Sequence, residues 1–106
     1  MAAAHHSAAM FDAQQSMTLR GTVKTFQFIN PHSWIQLLVT VDGKTTEWSI
    51  EMGSPQGLYR SGWRPNTLKP EQQISVVVHP ERSGSPVALF LSATQADGSS
   101  LVKAQP

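Results

Sequence analysis

At 106 residues, with a net charge of +1 and no cysteine, the chain has room for one domain around one core and for no second lobe. The missing cysteines exclude disulfides, thiolate metal sites and thiol nucleophiles, and the small net charge disfavours nucleic acid and anionic lipid because no strong field gathers phosphates. No apolar run approaches the roughly 20 residues that a helical membrane span needs.

Residues 1 to about 16 are rich in Ala, Gln, Ser and His around one Met10-Phe11 pair. They are too polar and aperiodic for a core element and read as a flexible arm. At its head, Ala2-Ala3-Ala4 is the small-residue run that a signal peptidase cleaves, so the arm reads as the remnant of an export signal. This points to a periplasmic or secreted protein. Cleavage after Ala4 would give His5 the free amine, and cleavage after Ala3 would leave His5 and His6 next to it. Either outcome clusters nitrogen donors of the kind Cu(II), Ni(II) and Zn(II) prefer.

From Met17 the pattern changes. Met17, Leu19, Gly21 and Val23 alternate with Thr18, Arg20, Thr22 and Lys24, the period of a half-buried strand. The phase then slips, with Phe26 and Phe28 apolar on even positions, which predicts a bulge near Thr25. Gly21 lets the strand coil, and Asn30-Pro31 ends it because proline cannot donate to a ladder. The next strand, 33–41, runs into Asp42-Gly43, a strong hairpin signal. A two-residue turn sets Val41 opposite Lys44, and so Ile35 against Ile50, Leu37 against Trp48 and Val39 against Thr46 on the core face. Trp34, Gln36, Leu38 and Thr40 then share the outward face with Glu51, Ser49, Glu47 and Thr45.

Gly53-Ser54-Pro55 breaks the third strand and offers Ser54 as an N-cap, with Pro55 at the first helical position. The short helix should end at Gly62, with Leu58 and Tyr59 packed inward and Trp63 covering the barrel end. Ile74, Val76 and Val78 carry a fourth strand that Pro80 stops, and 87–94 form a fifth. Residues 95–106 read as a fraying polar tail. The order strand, strand, strand, short helix, strand, strand is that of an OB-fold: a mainly β, five-stranded Greek-key barrel over 17–94 with the helix between strands three and four. The alternatives are a small β-sandwich or an SH3-like barrel in which 54–62 is only a turn.

The chain resembles an uncharacterised family of small exported bacterial proteins, a domain of unknown function. The resemblance rests on His5-His6-Ser7, Met10-Phe11-Asp12, Gly21-Thr22-Val23, Asn30-Pro31-His32, Glu47-Trp48-Ser49-Ile50, Gly53-Ser54-Pro55 and Leu68-Lys69-Pro70. It spans residues 5–94 and implies export, but it brings no reaction, cofactor or partner with it.

The candidate site residues follow from the barrel. His32 lies in the loop joining strands one and two, and His79 lies where strand four enters its loop to strand five. In OB-folds these loops flank the ligand face. His5, His6 and His32 form a nitrogen-rich donor set suited to copper, with zinc as the competitor. The bland reading is a polar arm and a loop histidine bonded to backbone. Trp34, Gln36, Glu47, Glu51 and His79 make up the ligand face, whereas Trp48 points inward as core. Glu47 and Glu51 lie four residues apart, roughly 13 Å at about 3.3 Å per residue. That exceeds the roughly 5–9.5 Å spanned by a glycosidase pair, leaving Glu51 as a partner for a nearby imidazole. No serine sits in a nucleophile elbow, and no glycine loop cradles phosphate. The expectation is an exported, non-enzymatic binding module, with an envelope interaction or assembly module and a copper-dependent redox enzyme as alternatives.

Overall fold

The computed structural model describes residues 8–102. Five strands, β1 (Met17–Gln27), β2 (Trp34–Val41), β3 (Lys44–Glu51), β4 (Gln73–Pro80) and β5 (Val87–Gln95), close a barrel in the order β1-β2-β3-β5-β4. One short helix, α1 (Pro55–Arg60), lies between β3 and β4. This is the expected OB topology, with β3 and β5 parallel and every other pairing antiparallel.

Local chemistry explains each element. Asp42 and Gly43 both adopt positive φ, 52° and 79°, the conformation that lets a two-residue turn follow the strands' twist. The hairpin register is therefore the one read from the turn: Val41 faces Lys44, Val39 faces Thr46, Leu37 faces Trp48 and Ile35 faces Ile50. In β1 the register shifts between Val23 and Thr25, leaving Lys24 as the bulged residue and turning Phe26 back to the core. Ser54 Oγ accepts the Gly57 amide at 3.2 Å, and Pro55 occupies the first turn.

Leu19, Val23, Ile35, Leu37, Ile50, Ile74, Val76, Val78 and Ala88 fill the interior. Trp63 plugs one end, tilted against Phe26 at 5.8 Å and edge-on to Phe90 at 5.7 Å between ring centroids. Trp48 packs on this core as a partly buried ring.

Three expectations need correction. Tyr59 does not pack inward with Leu58; it is 55% exposed, and the Arg64 guanidinium lies 3.4 Å from its ring centroid. Neighbouring residues on a helix point about 100° apart, and so short a helix buries one side only. The arm is also docked over its second half. Ala8–Met10 form a 3-10 turn, Phe11 is buried at 2% exposure and bridges Glu81, and Asp12 N donates to Pro80 O at 2.8 Å. Finally, the start of the tail folds back: Gln95 N donates to Ser99 O at 2.9 Å, and Leu101 and Val102 pack on the core.

Candidate functional site

Outward positions of the barrel form two rows across the strands. Gln27, Trp34, Glu51, Leu89 and His79 are successive cross-strand partners on β1, β2, β3, β5 and β4. Beside them run Thr25, Gln36, Ser49 and Val87. The hairpin register and the β1 bulge bring Gln27, Trp34, Gln36 and Ser49 to one patch, and the parallel β3–β5 contact adds Val87.

Above the first row, the β1–β2 loop carries His32. Its Nδ1 lies 3.2 Å from the Met52 carbonyl oxygen and 3.6 Å from Glu51 Oε2. A carbonyl oxygen can only accept, so Nδ1 carries the hydrogen and donates it. In the neutral ring the lone pair is then on Nε2, on a side chain 37% exposed. The loop is held in register with β3 because Ser33 N donates to Gly53 O at 2.9 Å and Met52 N donates to Ser33 O at 2.8 Å. The peptide bond between Asn30 and Pro31 is cis.

Glu51 stands on an outward position yet is only 4% exposed. Its Oε1 and the Ser33 hydroxyl are buried with no hydrogen-bond partner among the described residues. Leaving a buried carboxyl oxygen without a hydrogen-bond partner is costly.

His79 is anchored in the same way as His32, since its Nδ1 lies 2.7 Å from Gln15 O and donates to it. It shares the outer row with Glu51 but stands two strands away, about 10 Å at the usual strand spacing. Glu47 is separate again: it accepts a bond from Lys24 Nζ at 2.8 Å on the exposed surface. Among the described residues no group of three or more His, Asp or Glu stands close enough to hold a metal. His5 and His6 lie outside the described residues.

Trp34 and Gln36 line a shallow pocket of about 370 Å³ together with Gln27, Ile29, Ser49 and Val87. Along its floor Ser49 Oγ donates to Gln36 Oε1 at 2.7 Å, and Gln36 Nε2 donates to Gln27 Oε1 at 3.0 Å. The sequence reading missed Gln27, Ile29 and Val87, and it set Ser49 on the outward face without counting it among the candidate site residues. The slipped phase of β1 could have signalled Gln27, because a bulge at residue 24 moves odd positions to the outer face.

No helix among the described residues is long and apolar enough to cross a membrane. The fold is similar to that of the mitochondrial single-stranded DNA binding protein Rim1 of S. cerevisiae, with a TM-score of 0.54 over 77% of this chain and 94% of that one, at 12% identity. At that identity the likeness establishes the OB architecture alone. No curated protein matches the chain in sequence. The model of a family of unknown function, DUF6152, matches residues 1–90. The chain therefore belongs to this family of unknown function, DUF6152.

Proposed function

We propose that the protein is a small exported binding module that takes a transition-metal ion, copper first and zinc as competitor, at His32 with further nitrogen donors from His5 and His6. The observation that carries this reading is the anchoring of the His32 ring through Nδ1. Its Nδ1–H is held by the Met52 carbonyl at 3.2 Å, with Glu51 Oε2 behind it at 3.6 Å. Metal-bound histidines are held in this way, the second nitrogen donating to a carbonyl or carboxylate that orients the ring and raises its basicity. The buried, half-satisfied Glu51 fits that role, because a cation at Nε2 would draw the ring proton toward its carboxylate.

One imidazole is not a site, so the remaining donors must come from the arm. Phe11, Asp12 and Gln15 fasten the chain that follows these histidines to Glu81, Pro80 and His79. No more than about 11 Å of extended backbone separates His5 from Ala8. An amine freed by processing after Ala3 or Ala4 would add one more nitrogen, and a nitrogen-rich set of this kind favours Cu(II).

The test is titration of the chain beginning at His5 with Cu(II) against a competing chelator, with the electron paramagnetic resonance spectrum recorded at saturation. One copper per chain is expected. His32→Ala should lose one nitrogen from the spectrum and at least about tenfold in affinity. Equal affinity and an unchanged spectrum in His32→Ala would place all binding in the arm and refute the proposal.

A further inference from the structure

The pocket beside Trp34 has a chemistry of its own. Gln27, Ile29, Trp34, Gln36, Ser49 and Val87 line it, and none of these side chains ionises. The one cation on the adjoining stretch of β1, Lys24, is committed to Glu47 at 2.8 Å. The floor is a directed hydrogen-bond chain: Ser49 donates to Gln36 at 2.7 Å, and Gln36 donates to Gln27 at 3.0 Å. Each link uses one donor and one acceptor. The Gln27 amide and the second Gln36 N–H remain as donors, and the Ser49 and Gln36 oxygens keep acceptor lone pairs. Apolar surface rises around this floor from the Trp34 ring, Ile29 and Val87.

We infer that this pocket is a binding site for a neutral sugar, one or two linked pyranose rings. A pyranose combines an apolar C–H face, which stacks on an indole, with hydroxyls at its rim that both donate and accept. An amide–hydroxyl chain with capacity of both kinds meets that rim, and Ile29 and Val87 cover the ring edges. The volume of about 370 Å³ lies at the lower end of the roughly 300–1,000 Å³ of small-molecule sites, which suits a ligand of this size. A single-stranded nucleic acid would bring a phosphate for every base it stacked. Such a ligand depends on a basic groove beside its stacking platform, and this pocket has none. The site is distinct from the nitrogen donors proposed for metal, so either can fail without the other.

The test uses metal-free full-length protein with cellobiose, N,N′-diacetylchitobiose and maltose as neutral probes and a dT oligonucleotide as the polyanion. Binding is followed by tryptophan fluorescence and calorimetry. At least one disaccharide should saturate the signal while the oligonucleotide does not. Trp34→Ala should abolish that binding. Gln36→Leu, which cuts the floor chain without removing the ring, should weaken it about tenfold, or roughly 1.4 kcal/mol. Tyr59→Ala, an exposed aromatic on α1 that lines no part of the pocket, should leave it unchanged. Failure of all three sugars to saturate, tighter binding of the oligonucleotide, or full affinity in a folded Gln36→Leu variant overturns the inference.

Discussion

Replacing Phe11 by alanine separates a docked arm from a decorative one. The ring is 2% exposed but lies outside the main buried cluster, so its loss unfastens the arm rather than hollowing the barrel. Burying a phenylalanine is worth about 1.5–3 kcal/mol, and truncation inside a core costs about 3–5 kcal/mol. The arm can detach without global unfolding, so the loss is capped at its docking free energy, and we expect about 2 kcal/mol. At about 4–8 °C per kcal/mol for a domain of this size, the melting temperature should fall by roughly 8–16 °C. Hydrogen exchange supplies the local reading. Asp12 N bonds Pro80 O at 2.8 Å and Arg82 N bonds Met10 O at 2.9 Å, and both amides should lose protection before those of β2 do. A loss within about 0.5 kcal/mol, the usual range for surface changes, with both amides still protected, would show that Phe11 packing is not what holds the arm.

Other substitutions probe the barrel and the site. A Cβ at Gly21 would overlap the Leu38 carbonyl oxygen and stand 3.0 Å from Leu38 C and 3.1 Å from Leu37 Cγ. Gly21→Ala should therefore cost about 3 kcal/mol in chemical denaturation, and a neutral result would mean that β1 and β2 can part locally. Glu51→Leu removes a buried carboxylate with an unpartnered oxygen. The metal-free protein should keep or gain stability, while copper affinity falls about 10–100-fold; a parallel loss of both would mean that Glu51 serves packing alone. Hydrogen bonds from the Ser99 side chain and backbone hold the Asp97 carboxyl below its usual range. Its folded value lies under the unfolded one, so the associated stabilisation is present above the unfolded pKa and fades as pH falls through the folded one. Ser99→Ala should move the Asp97 midpoint upward in an NMR titration, and an unmoved midpoint would discount the side-chain bond.

The residues alone determined whatever depends on near neighbours. Asp42-Gly43 dictated the hairpin register because a two-residue turn leaves no freedom in pairing. The slip from odd to even apolar positions located the β1 bulge, and Ser54-Pro55 located the helix start. Tertiary structure decided what depends on distant partners. Glu51 alternates like a surface residue, and only its neighbours on β5 and the β1–β2 loop show that it is buried beside His32. Phe11 looked isolated because the Pro80–Arg82 strip that covers it lies about 70 residues away in sequence. In the floor chain the turn already set Gln36 opposite Ser49, but the bond from Gln36 to Gln27 depends on how β1 pairs with β2, which no local turn dictates. Periodicity tells which way a side chain points, whereas its burial and bonding depend on which segments the closed barrel brings over it.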